Sequence, residues 1–115
     1  MPKFVFKKEV TFEAPVVVRE PGSGVCFDFV GRFRLAARSG NFDEDGVKAF
    51  VGWRGIGCDD APNGELPETE ENRRALLAQD HVRFAIIRAY AGELVRYPEK
   101  NAEPPAAPGP APLQN

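Results

Sequence analysis

Three side chains of metal-binding types, Cys26, Cys58 and His81, are widely separated along the chain. Together with Asp59 or Asp60 they could converge on one ion, because thiolates, imidazoles and carboxylates are the usual zinc ligands. Their spacings match no compact zinc motif, and one cysteine falls on a predicted strand while the other falls in a predicted loop. We therefore predict two free thiols, no metal and no other cofactor. A small ligand- or metal-binding regulator that uses Cys26, Cys58 and His81 is kept as an alternative function.

A second group of polar side chains is acidic. The first half of a calcium-binding loop is matched by Asn41, Asp43, Asp45 and Gly46. Such a loop needs a bidentate glutamate at its twelfth position, where this chain has Gly52. We interpret the acidic residues as the first turn of a helix that Asn41 or Ser39 caps, since carboxylates stabilise the positive end of the helix dipole.

No arrangement of residues predicts catalysis. Ser23 lies in a Gly-Ser-Gly turn between two predicted strands, whereas a nucleophile elbow requires a strand before it and a helix after it. A glycine-rich phosphate-binding loop with its lysine is also missing from the sequence. We therefore expect a protein that is not an enzyme and that acts by binding.

Composition limits the class of partner. The 115 residues suffice for one domain with a core of its own, and the net charge of −2 gives no general basic field for nucleic acid. No stretch approaches the roughly 20 apolar residues that a membrane helix needs. We expect a cytoplasmic protein with a protein partner, and a homo-oligomer is possible if an edge strand is exposed.

Apolar residues alternate with polar ones on both sides of the turn formed by residues 21–24. This period of two is typical of strands with one buried face. It predicts an antiparallel β-hairpin, or small sheet, of residues 3–19 and 25–37. Pro15 interrupts the first strand and indicates a bulge or an edge position there.

The period changes to that of helices after Ser39. The predicted helices cover residues 43–53, 69–78 and 81–96. Thr69 and Asp80 are the expected caps of the second and third helices, and Pro98 is expected to end the third. The chain is thus predicted to be α+β, with one domain over residues 1–97 and a flexible, disordered Pro/Ala-rich tail over residues 98–115.

The hairpin face and the third helix have the two longest apolar surfaces, so we expect them to pack on each other. The predicted core consists of Phe27, Phe29, Phe33, Ile86 and Tyr90.

The only tryptophan lies in a glycine-rich stretch at the end of the first predicted helix. Phe50, Trp53 and Ile56 could form an exposed patch that binds a partner, because aromatic residues dominate the energetics of interfaces. The other interpretation is that Trp53 covers the phenylalanine face of the hairpin, since large aromatic residues serve cores as well.

The order of these motifs resembles the tail assembly chaperones of long-tailed bacteriophages, over roughly residues 1 to 101. The similar segments are residues 50–56 (FVGWRGI), 59–64 (DDAPNG), 70–77 (EENRRALL), 87–90 (IRAY) and 99–101 (EKN). Cys58, the insertion at residues 61–64 and the Pro-rich extension depart from the pattern of the family.

The resemblance implies a non-enzymatic function. Members of the family keep the tape-measure protein in solution during tail assembly in the host cytoplasm, help to recruit tail-tube subunits and are absent from the finished particle. Many also exist in a longer form made by ribosomal frameshifting. A tail-completion or head–tail connector protein of the virion is a further alternative for this chain.

Overall fold

The computed structural model describes the backbone of residues 1–102 and the side chains of residues 1–95. The elements in chain order are β1 (Thr11–Arg19), β2 (Cys26–Arg34), α1 (Phe42–Ala49), β3 (Phe50–Arg54), α2 (Glu70–Leu77) and α3 (Asp80–Ala102). The strands form one antiparallel sheet in the order β1-β2-β3. The predicted α+β class, with a small N-terminal sheet followed by helices, is confirmed.

The first strand begins later than the alternation of residues suggests. Residues 1–10 are not in a strand, and Phe4, Val5 and Phe6 are exposed. Just before β1, one further backbone hydrogen bond extends the pairing with β2, from Leu35 N–H to the Val10 carbonyl at 2.8 Å. The chain then leaves the sheet after Leu35, so residues 3–9 have no partner strand. The predicted start at residue 3 is wrong because a strand requires a hydrogen-bonded neighbour as well as alternation.

Pro15 lies in β1, at the edge of the sheet, as predicted. The bonds from Glu20 N–H to the Val25 carbonyl and from Leu35 N–H to the Val10 carbonyl, both 2.8 Å long, show that even-numbered residues of β1 face β2. The amide position of Pro15 therefore points to the open edge, where its missing N–H removes no ladder bond. Pairing continues through Pro15 without a shift, so there is no bulge at this residue.

Helix α1 starts as expected but ends early. The Asn41 side chain accepts hydrogen bonds from the amides of Asp43 at 2.9 Å and Glu44 at 3.3 Å, which makes it the N-cap. The helix ends at Ala49, and Phe50–Arg54 forms β3 instead of the last turn of the predicted helix 43–53.

A β-bulge explains why the sequence of β3 looked helical. The pairing of β2 with β3 shifts by one residue between Arg32 and Phe33, which leaves Val51 without a partner. The extra residue brings Phe50 and Trp53 to the same face of the sheet, although three positions separate them. Without a bulge, residues at this spacing share a face only in a helix, so the pattern predicted the wrong element.

The remaining helices agree with the predictions except at the two ends of α3. Thr69 caps α2 by accepting a hydrogen bond from Asn72 N–H at 3.1 Å. Asp80 is the first residue of α3 and not its cap as predicted, because the Gln79 carbonyl already accepts a 2.9 Å bond from Arg83 N–H. Helix α3 passes Pro98 and reaches Ala102, so the predicted stop at Pro98 is wrong. A proline inside a helix loses one hydrogen bond and its ring crowds the carbonyl four residues earlier, which destabilises the helix but can kink it without ending it. The rest of the predicted tail, residues 103–115, lies outside the described residues.

The core lies between the sheet and α3, where Phe33, Ile86 and Tyr90 are fully or almost fully buried and Phe29 is buried beside them. The Phe33 and Tyr90 ring centroids are 5.7 Å apart, and the Tyr90 hydroxyl accepts a hydrogen bond from Ala36 N–H. Four of the five predicted core residues are thus confirmed. Phe27 is not, because 58% of it is exposed.

Phe27 lies on the predicted face of the sheet, but at the end that the helices do not cover. It lies two residues from Phe29 on the same strand, so both side chains point to the helix side. Its cross-strand partner is Val18, next to the hairpin turn. The alternation of residues identifies the face of a strand, but it does not say how far along that face the helices extend.

Candidate protein-binding surface

Two of the three predicted contact residues are buried. Trp53 is 3% exposed and Phe50 is 0% exposed, and their rings stack with centroids 5.7 Å apart. The indole N–H of Trp53 donates a 3.0 Å hydrogen bond to the Leu66 carbonyl. The predicted exposed patch of Phe50, Trp53 and Ile56 is therefore not formed here. The other interpretation holds, since Trp53 extends the aromatic core of the sheet.

The segment that buries Trp53 follows the loop after β3. We call residues 66–77 the β3 cover, because they lie along the open edge of that strand. Leu66 N–H bonds to the Ile56 carbonyl at 2.9 Å, and the Glu68 carboxylate accepts from Trp53 N–H at 3.4 Å. Arg73 donates from Nε to the Phe50 carbonyl at 2.7 Å. Side chains of the cover thus form hydrogen bonds with backbone groups of β3 to which a fourth strand would otherwise bond.

A groove of about 350 Å³ lies between α1 and α3, and we call it the helix groove. Its apolar lining consists of Val47, Phe84 and Ile87, and Phe84 is 51% exposed. The helices approach closely at this place, since a Cβ on Gly46 would lie 3.2 Å from the Ile87 Cα. The helix groove is therefore an open apolar surface on a closely packed pair of helices.

Charged side chains border the helix groove on α1 and α3. Asp43 and Glu44 lie in the first turn of α1, whereas Lys48 lies in its last turn. Arg83 is held in place by a 2.7 Å bond to the Asp80 carboxylate and stacks 5.2 Å from the centre of the Phe84 ring. The border is thus acidic at one end of α1 and basic at the other.

A second apolar surface lies at the turn end of the sheet, in a pocket of about 300 Å³. Phe27 and Val18 meet Ile56 there, and Ile56 is half-buried. Of the predicted contact residues, Ile56 is thus the one that reaches an accessible apolar surface.

The ion pairs on the sheet are surface contacts. Arg54 bonds to Glu13 at 3.0 Å and Arg32 bonds to Glu68 at 2.7 Å. The hydrogen bond from Arg54 lowers the pKa of the Glu13 carboxyl below its ordinary value. Both partners face solvent, which screens their attraction. These pairs fix side chains on the outside of the sheet and form no acid–base pair for catalysis.

The residues considered for metal binding are not brought together. Cys26 is exposed and Cys58 half-buried, and both are free thiols. Within the described part of the chain, no three His, Cys, Asp or Glu side chains form a group able to hold a metal ion. Asp45, from the calcium-loop match, is buried and accepts bonds from Ser39 N–H at 3.1 and 3.2 Å.

Sequence reasoning missed Phe84, although the sequence contains a signal for it. The apolar stripe of α3 runs through Val82, Ile86 and Tyr90, which are buried. Phe84 lies two positions after Val82, about 200° around the helix, and so falls outside that stripe. A large aromatic residue off the core-facing stripe of an amphipathic helix is a candidate contact residue.

None of the helices described here is both long enough and apolar enough to cross a membrane. No protein-family model, curated protein or solved structure matches the chain.

Proposed function

We propose that this chain is a non-enzymatic tail assembly chaperone of a long-tailed bacteriophage. It would hold the tape-measure protein in solution in the host cytoplasm, help to recruit tail-tube subunits and be absent from the finished particle. The support from the sequence is the ordered set of motifs between residues 50 and 101. The proposal requires an accessible apolar surface on a folded body, because a holding chaperone binds apolar segments of its client.

The observation that carries the proposal is the exposed Phe84 ring in the helix groove. A groove between two packed helices, with an apolar lining and a charged border, is a common receptor for an amphipathic helix. Tape-measure proteins are long and rich in helix, so they offer segments of this kind. The opposite charges of Asp43 and Lys48 along α1 would favour one orientation of the bound helix.

The alternatives differ in what they require. A regulator that uses Cys26, Cys58 and His81 needs these groups to share a site, and the described residues contain no such metal-binding group. A tail-completion or connector protein would remain in the virion. Mass spectrometry of purified particles separates this second alternative from a chaperone, which would not be found in them.

Phe84→Ala should weaken binding to a soluble tape-measure fragment by about 2 kcal/mol or more, the loss typical of an aromatic hot spot. This is roughly a 30-fold increase in Kd and can be measured by titration calorimetry. The melting temperature should change little, because the side chain is half-exposed.

Phe42→Ala is the matched control. Phe42 is also a partly exposed phenylalanine of a helix, and it lies outside the lining of the helix groove. We expect its Kd to equal that of the unchanged protein. Equal affinities for both variants and the unchanged protein would show that the helix groove is not the binding site.

A further inference from the structure

We propose that the β3 cover, residues 66–77, opens as a unit from the sheet edge and that Arg73 is the latch that keeps it closed. Opening would uncover the Trp53 ring, which stacks on Phe50, while β1, β2 and α3 remain folded. This inference does not depend on the proposed function, since its test requires no partner.

The β3 cover is attached by polar contacts and by three leucines that are only partly buried. Helix α2 has no buried residue, and Leu66, Leu76 and Leu77 are only partly buried against the core. Helix α3, in contrast, contributes the fully buried Ile86 and Tyr90. Segments with few buried apolar contacts open at a lower free energy than the core does. The cover is therefore the packed part of the described chain that is best suited to open separately.

Several of the polar contacts are made to the edge of β3, and Arg83 of α3 donates a further 2.9 Å bond to the Leu77 carbonyl. Odd-numbered residues of β2 bond to β1, so Val30 and Arg32 face β3, where they pair with Arg54 and Gly52. The N–H of Trp53 consequently points away from β2, and there it meets the Glu68 carboxylate. The cover thus caps an edge whose amides and carbonyls could otherwise bind an added strand.

Among the side chains of the cover, Arg73 makes the strongest contacts with the rest of the protein. Its guanidinium bonds to the Phe50 carbonyl at 2.7 Å and to the Val47 carbonyl, in the last turn of α1, at 2.6 Å. Only 22% of its side chain is exposed. Hydrogen bonds from a charged donor are stronger than neutral ones. The Glu68–Arg32 contact is weaker, because about 40% of each side chain faces solvent and water competes for it.

Opening would change two surfaces together. The indole N–H of Trp53 would lose the Leu66 carbonyl, and the ring would become accessible beside Phe50. The Phe50 carbonyl and the Trp53 amide would be released at the same time. The closed protein therefore conceals an aromatic surface and the sheet edge beside it, and the two together would suit an extended apolar segment.

Arg73→Ala, in the full chain, should open the cover more often. We expect hydrogen exchange, followed by mass spectrometry, to become about tenfold to a hundredfold faster in peptides from residues 66–78 and at the Trp53 amide, since charged hydrogen bonds contribute on that scale. Exchange in β1 and β2 should not change. Acrylamide should quench the fluorescence more strongly, and the signal reports on Trp53 alone because it is the only tryptophan.

Arg74→Ala is the matched control, since Arg74 is the next residue, is 78% exposed and bonds only to Glu70 among the described contacts. It should behave like the unchanged protein. Equal rates of amide exchange in the Arg73 and Arg74 variants would show that Arg73 does not hold the cover closed.

The unchanged protein provides a second test, which remains valid if Arg73→Ala does not fold. In rising, sub-denaturing urea, amides of residues 66–78 should exchange before those of β1 and β2. If exchange of all these amides becomes faster at the same urea concentration, the β3 cover is not a separate unit and the inference is wrong.

Discussion

Phe29→Ala should lower the free energy of unfolding by about 3–5 kcal/mol, the usual cost of truncating a buried phenylalanine. The Phe29 ring is buried, and it packs edge-on to the Phe50 ring at 6.5 Å between centroids. Its removal leaves a cavity between the sheet and the helices. Urea denaturation followed by circular dichroism measures the change.

Phe27→Ala is the control for this result, because it makes the same change two residues away on the same face. The Phe27 side chain is mostly exposed, so we expect its unfolding free energy to fall by less than about 1 kcal/mol. Similar losses of unfolding free energy for the two variants would show that the helices cover more of the sheet than the structure indicates.

Trp53→Ala should destabilise the fold by about 3–5 kcal/mol, a large part of the 5–15 kcal/mol that typically stabilises a domain. The substitution removes the ring stacked on Phe50 and leaves the Leu66 carbonyl without its indole donor. Thermal unfolding of the variant measures this loss. Trp53→Phe, which keeps an aromatic ring, should lose less.

The same variant separates the two interpretations of Trp53. As a core residue, it affects binding only through folding, so loss of partner binding should parallel loss of the folded state. A Trp53→Ala protein that melts like the unchanged protein but no longer binds its partner would instead identify Trp53 as a contact residue, contrary to its burial.

Local signals in the sequence were sufficient for much of the fold. The caps at Asn41 and Thr69 were identified because their side chains bond to amides two or three residues away, which spacing alone can show. The hairpin was found from its turn and its alternation. The third strand was not, because its pairing with β2 and the bulge at Val51 depend on contacts distant in sequence.

The candidate site was less accessible to sequence reasoning, because burial depends on what covers a residue. The Trp53 indole bonds to Leu66, 13 positions further along the chain, and the carbonyl of its stacking partner Phe50 bonds to Arg73, 23 positions further along. No local pattern predicts these contacts. Phe84 was detectable in principle from its position off the stripe of α3. Ile56 is half-buried beside Phe27 and Val18, and its role as a contact residue stays a prediction.

The central claim, that this chain holds a tape-measure protein in solution, is tested most directly by co-expression. The proposed function places the gene for a long, helix-rich protein next to the gene for this chain. That protein is co-expressed with the chain, and the measurement is its fraction in the cleared lysate. We expect that fraction to rise strongly when this chain is present and to rise much less with Phe84→Ala. A partner that stays equally insoluble with and without the chain would contradict the proposed function.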